Sequence, residues 1–257
     1  MTENADSAGS TAGRPPGGSI WSRPERQSRG PAPEHSRAEI ASAGVALADA
    51  AGLGAVTMRS VAAAIGTGPA SLYRYVANRA ELLELMADQA RGEVSHDGTS
   101  SAEPAARLLA IARAGRALYR RHPWLLDVQA APIPGPNAIA FLEHCLAALS
   151  DVDLSGSAKL ETIALFSGFV RLCAQAEIEQ RQAGQDIAGW QGELTAYLAG
   201  IVAAGHHPQL ATALADAASA GQAEQQDDLF DRAMTRILAG LLPPRAGHPG
   251  RPTRPGS

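Results

Sequence analysis

Apolar residues recur every three or four positions along most of this chain, which is the spacing of one face of an α-helix. Ser36 is suited to cap a helix and Gly52 to end one, so the pattern predicts a helix from Arg37 to Ala51. Its apolar face would consist of Ile40, Gly44, Leu47, Ala48 and Ala51. No stretch alternates Val, Ile or Thr with polar residues as half-buried strands do. The pattern therefore predicts an all-α fold.

Two short helices joined by a glycine turn are predicted in the next stretch. Thr57 is a good N-cap for a helix over 59–65, and Gly66 is suited to leaving that helix with a positive φ. Pro69 takes the first position of a second helix, which we expect to continue over 70–76. Its inward positions would be Leu72 and Val76. This arrangement is a helix-turn-helix.

The outward positions of the second helix have the chemistry of a DNA major-groove reader. They are small, hydroxylated or cationic: Pro69, Ala70, Ser71, Tyr73, Arg74 and Tyr75. Ser71 and Arg74 can hydrogen-bond base edges or phosphates, and the two tyrosines can donate to phosphate oxygens. The alternative for each tyrosine is that it packs between helices.

Further helices are predicted along the rest of the chain. Asn78 is expected to cap one that runs to about Glu93. The others are expected at about 104–121, 124–129, 137–149 and 159–182, and an apolar stripe over 229–242 predicts a last one. The helix at 159–182 is apolar around most of its circumference, so it must be covered on more than one side. One side of it carries Leu160, Ile163, Ala164, Val170 and Ala174, and the other sides carry Leu165, Phe166, Phe169, Leu172 and Cys173.

Both ends of the chain have the composition of disordered segments. Residues 1–35 are rich in Gly, Pro, Ser and Arg, with few apolar residues beyond Ile20 and Trp21, and the tail from Pro243 is similar. The arm also carries cations that would suit an adjacent minor groove: Arg14, Arg23, Arg26 and Arg29.

Composition and charge limit the classes of function that this chain can have. The chain is 45% hydrophobic and 19% charged, and its net charge is −4, yet residues 1–80 hold eight arginines against six acidic residues. The two cysteines have no CxxC spacing, and no apolar run is long enough to span a membrane, which favours a cytoplasmic location. No nucleophile elbow, phosphate-binding loop or HExxH motif is present, so we expect no catalytic residue, metal or cofactor, and no enzyme.

The helix-turn-helix resembles the DNA-binding domain of the tetracycline-repressor (TetR) family, of the actinobacterial type. The resemblance is carried by Thr57-Met58-Arg59, Ile65-Gly66, Ser71-Leu72-Tyr73-Arg74-Tyr75-Val76 and Asn78-Arg79-Ala80-Glu81-Leu82-Leu83. It implies that Arg59 and the start of the second helix touch bases, and that Tyr73, Tyr75 and Arg79 hold phosphates. Thr57, Pro69, Ala70, Ser71 and Arg74 complete the expected DNA-binding set. Ala77 departs from the family, whose members often have a basic residue there.

The resemblance also implies a dimer in which the helices at 159–182 and 229–242 pair with their copies. Two recognition helices would then read a palindromic operator. The expected domains are an arm at 1–35, a DNA-binding domain at 36–80, an effector-binding and dimerisation domain at 81–242 and a tail at 243–257.

A pocket for a small apolar effector is expected between the helices of the second domain. Its candidate residues are Trp124, Phe141, Cys145, Phe166, Phe169 and Arg171. The sequence thus predicts a homodimeric repressor that a ligand releases from its operator. Two alternatives remain: a DNA-binding regulator without a ligand, and a metal or redox sensor that uses the Cys and His residues of the helical domain.

Overall fold

The computed structural model describes residues 19–23, 34–94, 103–129, 133–183, 187–219 and 226–243. Within these ranges the secondary structure is helical and no β-strand occurs, as the all-α prediction requires. Contacts divide the chain into two units. Unit 1 comprises Met1–Gly92 with Asp127–Ile139, and unit 2 comprises Glu93–Leu126 with Ala140–Ser257. The domain boundary predicted after residue 80 stays a prediction, and the polar loop that the sequence favours at 96–102 lies outside the described residues.

The described residues of unit 1 form α1 (Arg37–Ala51), α2 (Met58–Ala64), α3 (Pro69–Leu72) and α4 (Arg79–Arg91), together with a 3-10 turn at Leu53–Ala55 and the first residues of a later helix. The predicted bounds of α1 are confirmed, and Ser36 Oγ accepts the backbone N–H of Glu39 at 3.1 Å. At its other end Gly52 has a φ of +75°, a left-handed conformation that glycine adopts without a steric penalty.

The close packing of α1 on α4 explains why α4 belongs to unit 1. Gly44 on α1 is the contact point, since a Cβ built there would lie 2.6 Å from Met86 Sδ. Met86 is fully buried, as are Ile40 on α1 and Leu82 on α4. These apolar contacts join the helix before the helix-turn-helix to the helix after it.

Unit 2 contains most of α6 (Pro136–Ala148) together with five other helices: α5 (Pro104–Arg121), α7 (Gly156–Ala183), α8 (Ile187–Ala203), α9 (Pro208–Ser219) and α10 (Gln226–Leu241). The helix expected over 124–129 is instead a 3-10 turn at Pro123–Leu126. There Leu125 N donates to the carbonyl of His122 at 3.0 Å, an i to i+3 bond that does not continue into an α-helix.

The core of unit 2 lies between α5, α6, α7 and α10. Its buried members are Leu108, Ile111, Ala112, Cys145, Ala148, Leu149, Ile163, Phe166, Val170, Phe230, Met234 and Leu238. On α7, Ile163, Phe166 and Val170 lie in this core, whereas Leu160 and Ala164 are exposed. Ala164 is rotated about 100° from Ile163, and this places it on the flank of the buried stripe.

Buried ion pairs join α5 to α7 in unit 2. The Arg116 guanidinium on α5 pairs with Glu177 on α7 and lies 4.5 Å from the ring centroid of Phe230. Arg120 Nε also donates to Glu177, at 2.9 Å. Both Arg116 and Glu177 are buried, so the attraction between them offsets the cost of removing each charge from water.

None of the described helices is both long enough and apolar enough to cross a membrane.

Candidate nucleic-acid interface

A reciprocal cap begins α2. Thr57 Oγ1 accepts the backbone N–H of Ser60 at 3.0 Å, and Ser60 Oγ accepts the backbone N–H of Thr57 at 2.9 Å. The helix ends at Ala64, and Gly66 two residues later has the predicted positive φ, +74°. Thr67 N then donates to the carbonyl of Ala62 at 2.9 Å, which closes the turn. Thr57 was expected to meet DNA; its hydroxyl is also part of this cap.

The recognition helix α3 is shorter than predicted. It was expected to reach Val76, but it ends at Leu72. Arg74 N donates to Ser71 O at 3.1 Å and Tyr75 N to Leu72 O at 3.0 Å, so the chain continues in tight turns. The physical reason is the start of α4, because its cap Asn78 needs extended backbone at φ −161° and ψ 176°.

The predicted inward and outward positions of this segment are confirmed. Leu72 and Val76 are fully buried. The surface around α3 carries Pro69, Ala70, Tyr73 and Arg74 as exposed residues and Ser71 and Tyr75 as half-buried ones. Tyr73 is 54% exposed, so it does not pack between helices. The exposed Arg59 on α2 completes the set of side chains from which a DNA contact is expected.

Arg79 has a role within the fold that the sequence did not suggest. Its Nε donates to the carbonyl of Val56 at 2.9 Å and its Nη2 to the carbonyl of Leu53 at 2.8 Å. These bonds tie the start of α4 to the segment that precedes α2. The residue is nevertheless exposed, and its expected phosphate contact stays a prediction.

Glu81 is a further residue that the sequence reasoning missed. Its Oε2 accepts the backbone N–H of Ala77 at 2.7 Å, while its own N–H donates to Asn78 Oδ1 at 2.9 Å. Glu81 is only 6% exposed. An Asn followed three residues later by Glu has the spacing of a capping box, and that signal would have found it.

Part of the N-terminal arm is ordered against unit 1. The expectation of disorder does not hold for Ser19–Arg23, because Ile20 is fully buried and Arg23 pairs with Glu81. The pairing also changes the expectation that Arg23 reaches a minor groove. Arg14, Arg26 and Arg29, and the tail beyond Pro243, lie outside the described residues.

Four of the six residues predicted to line an effector pocket meet in the core of unit 2. Cys145 and Phe166 are buried there, and Phe141 and Phe169 pack against them. Arg171 instead donates to the carbonyl of Leu126 in the 3-10 turn. Trp124 in that turn is buried, with its ring centroid 5.9 Å from that of His122.

The cysteines lie in environments that suppress their reactivity. Burial raises the pKa of Cys145 to about 12, and burial followed by the charge of Glu177 raises the pKa of Cys173. Among the described residues, no three His, Cys, Asp or Glu side chains are grouped as a metal site would require.

Within unit 2, Glu93 forms charged contacts with the C-terminal end of α5. Glu93 accepts from Arg121 Nη1 at 2.6 Å and lies 3.1 Å from His122 Nε2. Burial raises the pKa of the Glu93 carboxyl, but the bonds from His122 and Arg121 outweigh it and leave the pKa below its ordinary value.

Comparisons with known proteins agree with this geometry. Residues 40–86 match the family model of bacterial regulatory proteins of the tetR family, and residues 101–243 match the tetracyclin repressor-like C-terminal domain. The chain is 35% identical over 229 residues to the HTH-type transcriptional repressor DrrR1 of Streptomyces coeruleorubidus, an alignment that covers 86% of this chain and 83% of DrrR1.

Solved structures of other proteins are also similar to this chain. Apo ActR from Streptomyces coelicolor is 27% identical with a TM-score of 0.68, over 82% of this chain and 96% of ActR. ActR in complex with actinorhodin is 26% identical with the same TM-score of 0.68, over 80% and 95% of the two chains. The helix-turn-helix in unit 1, the helical unit 2 and these matches together place the chain in the TetR family of transcriptional regulators.

Proposed function

We propose that the protein is a homodimeric repressor that binds a palindromic operator and is released from it by a small apolar ligand. The observation that carries this proposal is the surface around α3. A capped α2 and a glycine turn present the N-terminal end of α3 outward with Pro69 and Ala70 exposed on it, and Arg74 is exposed in the turn that follows α3. Small residues there allow a major groove to approach closely, and the arginine can then reach base edges.

The residues divide by the contact that each is proposed to make. Base contacts come from Arg59 on α2 and from Ser71 and Arg74. Pro69 and Ala70 allow the major groove to approach α3 closely, and Thr57 at the start of α2 is a further proposed contact. Phosphate contacts come from Tyr73, Tyr75 and Arg79, which position the protein without reading sequence. Ala77 offers no charge, so we expect one phosphate contact to be weaker here than in relatives with a basic residue at this position.

Exposed leucines on α7 support dimerisation. Leu165 is 60% exposed and Leu172 is 62% exposed, and they are seven residues apart on one face. Leu229 on α10 is 55% exposed. A second copy of the chain would cover this surface, and two-fold symmetry would set two recognition helices in successive major grooves about 34 Å apart.

The ligand is proposed to enter the aromatic core of unit 2. ActR has been solved with actinorhodin bound, and the aromatic and apolar side chains around Phe166 suit a ligand that is also largely apolar. Such a ligand can release the operator only through a different affinity for the DNA-bound and free conformations.

One helix offers a route between the two activities. The first residues of α6 belong to unit 1, where Asp88 on α4 accepts the backbone N–H groups of Asn137 at 3.2 Å and Ala138 at 3.0 Å. Further along α6, Cys145 and Ala148 belong to the core of unit 2.

The test uses an operator selected from random DNA by the purified protein. Fluorescence anisotropy of the complex is followed while apolar compounds, actinorhodin among them, are added. At least one compound is expected to lower operator affinity, and by linkage the operator must lower the affinity for that compound by the same factor. If every compound that binds leaves operator affinity unchanged, the ligand-release proposal is wrong and a ligand-independent regulator takes its place.

A further inference from the structure

The segment Ser19–Arg23, called here the N-terminal strap, is held on unit 1 by backbone and side-chain contacts. Ile20 is fully buried. Arg37 Nη1 on α1 donates to the carbonyl of Ile20 at 2.9 Å and to the carbonyl of Arg23 at 3.0 Å. Trp21 lies so close to Gly135 that a Cβ on this glycine would come within 2.7 Å of the indole ring. The strap is therefore part of the packed structure of the DNA-binding unit.

One side chain of the strap reaches the end of the helix-turn-helix. Arg23 Nη2 pairs with Glu81 Oε2, and the same oxygen accepts the backbone N–H of Ala77. Residues 69–76, which comprise α3 and the turns after it, are called here the recognition segment. Ala77 directly follows Val76, the buried residue that ends this segment. The Glu81 side chain is 8% exposed, so its charge has little access to water. A carboxylate in such a place needs a charged partner, and Arg23 is one.

We propose that Arg23 is a positioning residue for DNA recognition. By pairing with Glu81 it holds this carboxylate on the N–H of Ala77, and this contact sets the turn that presents Tyr73, Arg74 and Tyr75. The role differs from that of an arginine in a minor groove, because Arg23 acts through Glu81 and touches no DNA. The proposal rests on the DNA binding proposed above.

Loss of Arg23 should therefore reduce the fraction of molecules in which the turn is correctly set. The apparent operator affinity falls in proportion to that fraction, while the number of phosphates contacted by each bound molecule stays the same. An arginine that contacts phosphate behaves differently, because its removal lowers the slope of log K against log salt by about one unit. The salt slope separates the two roles.

The first experiment measures operator affinity of the full chain over a series of salt concentrations. Arg23→Ala is expected to weaken binding about tenfold, the scale of one charge-assisted hydrogen bond, with an unchanged salt slope. Arg23→Lys should restore most of the affinity because it retains the charge. Arg113→Ala is the matched control: it breaks the ion pair with Asp231 in unit 2 and should leave operator affinity unchanged. All variants are compared well below their unfolding temperatures.

A double-mutant cycle tests the route through Glu81. Glu81→Gln keeps an acceptor for the Ala77 N–H but removes the charge that Arg23 neutralises. In that background Arg23→Ala is expected to have little further effect, since the partner it served is gone. Amide exchange at Ala77 gives a direct readout and should speed up in Arg23→Ala.

Three results would overturn the proposal: a salt slope that falls by about one in Arg23→Ala, an unchanged affinity, or additive effects of the two substitutions. The first would return Arg23 to a phosphate contact. Wild-type protein that fails to bind DNA selectively would instead contradict the proposed function, so the two failures are distinguishable.

Discussion

At the scale of single residues, the side chains around the helix-turn-helix divide between those that hold the fold and those that face outward. Thr57 and Arg79 were both expected to touch DNA, yet each also bonds to the backbone near α2. Residue type and spacing predicted these DNA contacts, which stay predictions. They did not reveal these bonds, because the partners of Arg79 lie 23 and 26 residues away in the sequence.

Removing the cap hydroxyl should destabilise the DNA-binding unit. Thr57→Ala loses the acceptor for the Ser60 N–H, and the free energy of unfolding is expected to fall by about 1 kcal/mol. Thr57→Ser keeps the oxygen and serves as the matched control. Urea unfolding followed by circular dichroism gives the measurement; equal stability of the two variants would show that the cap contributes nothing.

Substitutions on the outward face of the recognition segment should separate specificity from affinity. Arg74→Ala is expected to cost about 1–3 kcal/mol on the best operator and less on operators mutated at the base that it reads. Tyr75→Phe removes only a hydroxyl and should weaken binding to all sequences alike. Anisotropy titrations on a set of single-base operator variants measure both, and an equal loss for Arg74→Ala on every operator would reassign it to phosphate.

The buried thiol of Cys145 should be inert in the folded protein. Its folded pKa of about 12 lies above the ordinary 9.0, so the unfolded state releases this proton first and stability falls as pH rises from about 9 towards 12. At pH 8 we expect no reaction of Cys145 with a thiol reagent until denaturant is added. Mass mapping of the modified cysteine is the readout, and rapid labelling of native Cys145 would revive the redox-sensor alternative.

At the scale of elements, helix bounds followed from the sequence where caps were explicit. The start of α1 at Arg37 and of α5 at Pro104 matched, because Ser36 and the helix-starting proline are local signals. The end of α3 did not match its prediction, since it is decided by the start of α4 and by the contact of Glu81 with Ala77. The strap was missed for a similar reason: its buried Ile20 has no periodic neighbours.

Packing of α1 on α4 gives a prediction at this scale. Gly44→Val places branched carbons where Met86 Sδ now lies, and overpacking of this kind costs about 1–3 kcal/mol of stability. Adding Met86→Ala makes room and should recover part of the loss. Gly54→Ala is the matched control, because no atom lies within 4 Å of a Cβ there. Thermal unfolding measures all variants, and an undiminished melting temperature in Gly44→Val would contradict the close packing.

At the scale of the whole molecule, composition alone was misleading. The net charge of −4 is unusual for a DNA-binding protein, but residues 1–80, which carry the helix-turn-helix, hold eight arginines against six acidic residues. Periodicity predicted most of the helices, but it gave no prediction for α8 or α9 and a helix at 124–129 where a 3-10 turn occurs. It could not tell which apolar face of α7 is covered within one chain, because Leu165 and Phe166 are alike in hydrophobicity and only the packing buries Phe166.

The proposed repressor function depends most directly on selective DNA binding by a dimer. The measurement is titration of the purified protein against DNA from around its own gene and against an unrelated fragment, at two salt concentrations, with the mass of the complex determined in parallel. We expect one dimer on a palindrome, bound selectively even at the higher salt. Equally weak binding to both fragments that vanishes with salt would mean phosphate contacts alone, and would contradict the assignment of α3 as a sequence reader.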